Sequence, residues 1–157
     1  MNIIKQSYHS EQNDKDVVLN DFYNCWQDEA LVLDKWFAVQ ARNPSISVID
    51  EIYVLLEHAD FHLTNPNKVR AIVASFARDN LVNFHQINGE GYELVSNIIK
   101  RLNKLNPQVA ARLTSSFNQW RSFEEPRRSF MEKHLQELVS LKDVSPDIYE
   151  IASKALV

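Results

Sequence analysis

The sequence has 157 residues, a formal net charge of −4 at pH 7 and 45% hydrophobic residues. This length suits one domain, and the composition excludes an intrinsically disordered chain. The acidic balance argues against nucleic acid as a partner, because phosphate binding needs a concentrated basic surface. No apolar run reaches the ~20 residues of a membrane span, and residues 1–16 lack the apolar core of a signal peptide. We therefore expect a cytoplasmic protein with no membrane partner.

Apolar residues recur at helical spacing along most of the chain, and its two glycines provide for few hairpin turns. We predict an all-α fold of about eight helices in one domain over residues 14–157. Residues 1–13 are polar and show no period, so we expect a poorly ordered lead-in there. The expected apolar faces, in chain order, are Leu19, Phe22, Tyr23 and Trp26; Leu33, Trp36, Phe37 and Gln40; Ile49, Ile52, Tyr53 and Leu56; Val69, Ile72, Val73 and Phe76; Val95, Ile98, Ile99 and Leu102; Val109, Leu113, Phe117 and Trp120; Met131, His134, Leu135 and Leu138; Ile148, Ile151, Ala152 and Ala155.

Three prolines mark helix starts at nearly equal intervals. Asn65-Pro66, Asn106-Pro107 and Ser145-Pro146 each combine an N-cap residue with a proline suited to the first helical turn. Their spacing of roughly 40 residues is the period of helix pairs of the HEAT or armadillo kind. The side-chain pattern does not repeat clearly, so a non-repetitive helical bundle remains the alternative.

An irregular loop is expected at residues 81–92, between the fourth and fifth helices. It contains both glycines, Gly89 and Gly91, together with His85 and Tyr92. The glycine pair predicts a turn with a positive φ angle. Long loops inside compact domains are often functional, but a structural hydrogen bond is the favoured role for His85.

The sequence offers no catalytic or metal-binding motif. It has no His-Glu-x-x-His, Cys-x-x-Cys, phosphate-binding or nucleophile-elbow pattern. His58 and His62 are four apart, but two ligands do not make a metal site. His134 is expected to be a hydrogen-bonded core residue, and Cys25, the single cysteine, a buried small hydrophobe in a reducing compartment.

Three polar residues near the Asn-Pro helix starts form a candidate binding site. Gln108 and Arg112 are four apart, so they lie on one side of their helix, and Arg70 has an equivalent place on the earlier helix. Guanidinium groups suit carboxylates and peptide carbonyls. The alternative is a pair of surface salt bridges.

These motifs together resemble the C-terminal domain of bacterial aminopeptidase N, a family of zinc metallopeptidases of the gluzincin clan. The similarity extends over about residues 17–157. The matching residues are Leu31-Val32-Leu33-Asp34-Lys35-Trp36-Phe37, Phe61, Asn65-Pro66-Asn67, Arg70, Phe76, Asn80, Phe84-His85, Gly89-x-Gly91-Tyr92, Leu102, Asn106-Pro107-Gln108-x-Ala110-x-Arg112-Leu113, Tyr149-Glu150 and Lys154-Ala155-Leu156.

The resemblance implies armadillo-like helix pairs that cap the catalytic domain and enclose a cavity above its zinc. It also implies that Arg70, Gln108 and Arg112 face this cavity and hold the downstream part of a peptide substrate. The family's zinc ligands, catalytic glutamate and amino-terminus recognition motif are not in this sequence. We therefore expect a non-catalytic fragment whose partners are the parent enzyme's catalytic domain and its peptide substrates, with zinc only in the parent. The alternative is a free-standing helical-repeat module that binds a protein partner.

Overall fold

The computed structural model describes the backbone of residues 2–157 and the side chains of residues 14–157. This part of the chain contains helices and turns and no β-strand, so the predicted all-α class is confirmed. The lead-in expected at residues 1–13 lies outside the described side chains, and its poor order stays a prediction. The helices are α1 (Asn2–Trp26), α2 (Ala30–Ala41), α3 (Val48–Leu56), α4 (Pro66–Val69), α5 (Ser75–Asp79), α6 (Leu81–Phe84), α7 (Glu90–Leu102), α8 (Pro107–Thr114), α9 (Arg127–Val139) and α10 (Pro146–Leu156).

Helices α4 and α5 are the two ends of one continuous helix. A π-helical turn, Arg70–Ala74, lies between them. All three prolines occupy first helical turns as predicted, and the side chains of Asn65, Asn106 and Ser145 each accept a hydrogen bond from a backbone N–H of the helix that follows.

The helices pack as neighbouring layers around one core. In the first half α2 packs against α1, α3 and the π turn, and in the second half α7 to α10 pack against one another, with α3 against α7 joining the halves. Fully buried side chains from both halves fill the centre, among them Phe37, Phe76, Tyr92, Phe117 and Met131. Among the described residues, no helix is both long and apolar enough to cross a membrane.

Two buried asparagines attach helix ends to loops that are distant in sequence. Asn80 donates from Nδ2 to the carbonyl oxygens of Ala41 and Asn43, at 3.1 and 2.8 Å. Asn103 donates to the carbonyl of Asp143 at 2.8 Å and accepts from the N–H of Ser145 at 2.8 Å. Each bond satisfies a polar group of a helix connection that would otherwise be costly to bury.

The prediction of one continuous helix from Pro107 to Trp120 is wrong. Helix α8 ends at Thr114 and gives way to two 3₁₀ turns, Ser115–Phe117 and Trp120–Ser122. The hydroxyls of Thr114 and Ser115 donate back to the carbonyls four residues earlier, at 3.0 and 3.4 Å. Such bonds bend or weaken helices, and they coincide here with the helix end.

The predicted burial is wrong on α1 and in part on α3. Cys25 is exposed, and Phe22 and Trp26 of the same expected face are 39% and 47% exposed. Leu19 and Tyr23 alone of that face pack against the core, because α1 touches its described neighbours along one edge only. On α3, Tyr53 was expected to be buried but is 47% exposed, and Leu55 is buried instead. Both residues lie at helical spacing from other apolar residues of α3, so the pattern did not distinguish them.

The irregular loop expected at residues 81–92 is wrong in its extent: it begins with the short helix α6, and α7 begins at Glu90, so Gly91 and Tyr92 are helical. The two glycines are required for different reasons. Gly89 has a φ of +79°, which confirms the predicted turn. Gly91 has an ordinary helical φ, but a Cβ on it would lie 2.5 Å from the carbonyl oxygen of Phe84 and 2.7 Å from that of Asn83. The N-terminus of α7 therefore packs directly on the backbone of α6.

We predict that Gly91→Ala lowers the free energy of unfolding by about 3 kcal/mol, the upper range for overpacking, because backbone carbonyls cannot move aside as side chains do. Urea denaturation of the chain measures this. Ser96→Ala is the matched control on the same helix: Ser96 is buried and its hydroxyl has no hydrogen-bond partner among the described residues, so its loss should change stability little or increase it. Equal losses for the two variants would contradict the close-packing explanation.

Candidate functional site

Arg70, Gln108 and Arg112 lie around one small pocket. Arg70 is the first residue of the π turn, and Gln108 and Arg112 project from α8. Together with Asn106 and Val109 they line a pocket of about 300 Å³. The two Asn-Pro helix starts therefore bring together side chains that are about 40 residues apart in sequence.

Neither Arg70 nor Arg112 forms a salt bridge with a carboxylate of residues 14–157. Arg70 donates from Nη1 to Oδ1 of Asn67 at 3.1 Å. The side chains of Gln108 and Arg112 are exposed and have no hydrogen-bond partner within this described part of the chain. The alternative of paired surface salt bridges therefore has no support in the geometry, and both guanidinium groups remain available to a ligand.

A larger pocket continues from Arg70 and Arg112 between α2 and the α4–α5 helix. Its volume is about 910 Å³, and its polar wall includes two further arginines, Arg42 and Arg78. We call this surface, with Arg42, Arg70, Arg78 and Arg112, the arginine groove. Sequence reasoning missed Arg78, although its place eight residues after Arg70, about two helical turns, was a usable signal.

Asp79 neutralises part of the arginine groove. Its carboxylate accepts from Nε and Nη2 of Arg78 at 2.7 and 2.9 Å and from Nε of Arg42 at 2.8 Å. The hydrogen bonds from Arg78 hold the pKa of Asp79 below its ordinary value, and Arg42 adds to the effect. Asp79 therefore stays ionised near neutral pH. Of the four arginines of the groove, Arg70 and Arg112 have no carboxylate partner among the described residues, and the same holds for Lys35, which also lines this pocket.

His85 is held rigidly beside the groove by three contacts. Its ring stacks on Phe123, with centroids 4.3 Å apart and planes at 24°. Its Nδ1 lies 2.8 Å from the hydroxyl of Tyr92, and its backbone carbonyl accepts from Nε of Arg127 at 2.6 Å. Phe123 and Arg127 come from more than 35 residues further along the chain, so no local sequence signal indicated them.

The environment fixes the protonation of this pair. Burial raises the pKa of Tyr92 to about 12, so its hydroxyl keeps its proton. Burial also lowers the pKa of His85, and the charge of Arg127 lowers it further, so the imidazole is neutral at pH 7. Nδ1 of His85 is the only described acceptor for the buried Tyr92 hydroxyl, which places the imidazole proton on Nε2.

The other histidines do not form a metal site within residues 14–157. No three His, Cys, Asp or Glu side chains in this range lie close enough to hold a metal ion, so the residues described here do not fit a zinc ion. Nδ1 of His58 accepts from the N–H of Asp60 at 3.2 Å, and His62 is exposed. His134 is buried as predicted, but the predicted hydrogen bond is not formed at Nδ1, which has no described partner: the nearest carboxylate oxygen, Oε2 of Glu137, is 3.6 Å away.

Stacked helix pairs with a basic groove on one side define a protein of the helical-repeat class. A family model described as "Domain of unknown function (DUF3458_C) ARM repeats" matches residues 1–157, and the chain belongs to this family. The predicted repeat of armadillo-like helix pairs is thereby confirmed over the non-repetitive bundle.

The relatives confirm the predicted resemblance to aminopeptidase N. The chain is 42% identical to aminopeptidase N of Haemophilus influenzae over 142 residues, 90% of this chain and 16% of that protein. It is 38% identical to aminopeptidase N of Caulobacter vibrioides and 34% to that of Escherichia coli K12, with the same coverage. The chain thus spans about one sixth of the length of these relatives.

A solved structure shows the same fold. The crystal structure of Legionella pneumophila aminopeptidase A in complex with aspartic acid matches with a TM-score of 0.86 and 38% sequence identity. The match covers 92% of this chain and 17% of that one.

We predict that His85 carries its proton on Nε2 and titrates below the ordinary histidine pKa, because Tyr92 donates to Nδ1 and burial disfavours the cation. Long-range ¹H–¹⁵N spectra of the imidazole across a pH series report both properties. Tyr92→Phe should shift the tautomer toward a mixture, whereas Tyr149→Phe, at an exposed tyrosine on α10, should not. A proton on Nδ1 in the unaltered chain would contradict the assignment.

Proposed function

We propose that this chain is the non-catalytic C-terminal cap of a zinc-dependent aminopeptidase N, an enzyme that removes N-terminal amino acids from peptides. The cap encloses the active-site cavity and contacts the downstream part of the peptide. The observation that carries the proposal is the pocket of Arg70, Gln108 and Arg112, in a chain homologous to aminopeptidase N.

The chemistry of this pocket suits a peptide. The planar guanidinium of Arg112 donates to carboxylate or carbonyl oxygens in a fixed geometry, and the amide of Gln108, one helical turn away, both donates and accepts. Holding the distant part of a substrate reduces the motion that its reacting end must lose, which contributes to rate without any bond chemistry in the cap. The π turn at Arg70 supports the same interpretation, because π-helical turns occur frequently at functional sites.

The metal chemistry of the parent enzyme belongs to residues outside this chain. When bound, the zinc of such an enzyme supplies an activated water for amide hydrolysis. The residues described here contribute binding and orientation of the peptide and the walls of the cavity.

The exposed apolar face of α1 supports a partner within the parent enzyme. Val18, Phe22 and Trp26 repeat every four residues along α1 and are 65%, 39% and 47% exposed. Contiguous exposed apolar surface usually marks an interaction site. We assign this face to contact with another part of the same enzyme, whose catalytic domain is the proposed partner.

A free-standing helical-repeat module that binds a protein remains the second candidate, since the same α1 face and the arginine groove would also suit a separate partner. The size of the native polypeptide separates the two. We expect peptides of this chain to be found, by mass spectrometry of a lysate fractionated by size, in a polypeptide several times heavier than 18.3 kDa. Recovery at 18.3 kDa alone would refute the cap and favour the module. The proposed cytoplasmic location is tested separately, by fractionation of the cell compartments.

We predict that Arg112→Ala in the parent enzyme raises KM for tripeptides about tenfold or more, the cost of a lost charge-assisted hydrogen bond. KM for chromogenic amides of a single amino acid should stay within about twofold, because these substrates do not reach the cap. Arg101→Ala is the matched control, since Arg101 is an exposed arginine of α7 outside the arginine groove. Equal effects of Arg112→Ala on both substrate types would contradict the peptide contact.

A further inference from the structure

A second pocket lies beside Arg112 on the side away from Arg70. Its volume is about 570 Å³, which is within the range of small-ligand sites. Its apolar walls come from the end of α5, from α6, from α8 and from the segment before α9, and its polar groups include two arginines, a histidine and short hydroxyl and amide side chains. The residues that define it, which we call the His85 pocket, are Leu81, Phe84, His85, Arg112, Gln119 and Phe123.

The charge around the His85 pocket favours an anion. No aspartate or glutamate lines it, whereas Arg78 and Arg112 do, in a chain whose acidic residues outnumber its basic ones by 21 to 17. Arg78 is already paired with Asp79. Arg112 is therefore the group that an entering carboxylate meets with its donors available.

His85 supplies a second, neutral donor with a fixed direction. Its Nδ1 faces the buried hydroxyl of Tyr92 at 2.8 Å, so Nε2 is on the opposite edge of the ring. Nε2 is not among the buried unpaired atoms of the described residues, and no hydrogen bond within them uses it. It is thus not fully buried, and His85 is one of the residues that line the pocket. The stack on Phe123 restricts rotation of the ring.

We propose that the His85 pocket binds the C-terminal residue of a short peptide. The terminal carboxylate accepts from the guanidinium of Arg112 and from Nε2–H of His85, and an aromatic or large aliphatic side chain packs against Leu81 and Phe123. A terminal residue presents a carboxylate and an apolar side chain on adjacent atoms, which matches this combination of walls and donors. An acidic side chain would leave the apolar walls unfilled. The inference rests on the proposed function, to which it adds a preference for short peptides with an apolar C-terminal residue.

The test measures binding to the 157-residue chain by two-dimensional NMR, with three acetylated probes: Ac-Ala-Ala-Phe as the free acid, Ac-Ala-Ala-Phe amide, and Ac-Ala-Ala-Asp amide. We expect the free acid to bind about tenfold more tightly than either amide, as a charge-assisted hydrogen-bond pair requires, with shifts at Phe123 and His85. Equal binding of the acid and its amide would overturn the proposal, as would binding of the aspartyl amide as tight as that of the free acid. Absence of binding by all three at 10 mM would overturn it as well.

Variants at His85 test whether its side chain donates a hydrogen bond to the peptide or only packs in the pocket wall. His85→Phe keeps the stack on Phe123 but removes one of the two proposed donors, so it should reduce the difference between acid and amide, with the remainder due to Arg112. His85→Gln retains an N–H near the position of Nε2 and should restore part of it. A purely structural role would weaken both probes alike, and that result would refute the assignment. The acid-to-amide comparison in the unaltered chain needs no variant and stands if His85→Phe fails to fold.

Failure of the His85 pocket proposal can be distinguished from failure of the proposed function. If Arg112→Ala raises KM for tripeptides while acid and amide bind alike, the His85 pocket is refuted and the proposed function stands. If the free acid binds in a manner that depends on His85 while KM is unaffected in the enzyme, the cap's role in substrate binding is refuted and the pocket stands.

Discussion

The close packing of α7 on the end of α6 at Gly91 is the contact on which the rest of the candidate site depends. A side chain there would enter the space of the Asn83 and Phe84 carbonyls, so α7 approaches as far as two backbones allow. This approach buries Tyr92 completely and sets its hydroxyl 2.8 Å from His85. The direction of the imidazole, and with it the donor at Nε2, follows from one residue without a side chain.

Two buried asparagines also fix the relative positions of helices, between parts of the chain that are distant in sequence. Asn80 fixes the loop after α2 to the junction of α5 and α6, and Asn103 fixes the loop before α10 to the end of α7. Both bridge about 40 residues, the interval between the proline-initiated helices. Because amides have directional donors and acceptors, they specify how one helix pair lies on the next, which apolar packing alone leaves less defined.

The parts of this structure that local chemistry determines were predictable from the sequence. The three capped proline starts depend on residues within one helical turn, and most core faces depend on a period of 3.6 residues. Gln108 and Arg112 were selected because they are four apart on one helix, and Arg70 because it has an equivalent place on the earlier helix. That the three face one cavity was implied by the family resemblance, because helical spacing does not relate two helices 40 residues apart. Their role stays a prediction, and what the structure adds is that they line one pocket.

What the sequence did not indicate depends on distant contacts. Phe123 lies before α9 and Arg127 is the first residue of α9, and no local pattern links either of them to His85. The exposure of Cys25 reflects how little of α1 the described core covers. Nδ1 of His134 has no partner because Oε2 of Glu137, which accepts from Lys100, lies 3.6 Å away. Each of these outcomes depends on contacts that only the folded chain brings together.

The distribution of charge explains why a chain with a net charge of −4 presents four arginines on one surface. The carboxylate of Asp79 forms salt bridges with both Arg42 and Arg78. The groove is therefore not a continuous cationic strip of the kind that attracts polyanions. Arg70 and Arg112 remain as separate donors at defined positions, each next to a polar neutral side chain, Asn67 and Gln108. Under the proposed function, such an arrangement suits a single carboxylate or carbonyl of one short peptide better than the repeated phosphates of a nucleic acid backbone.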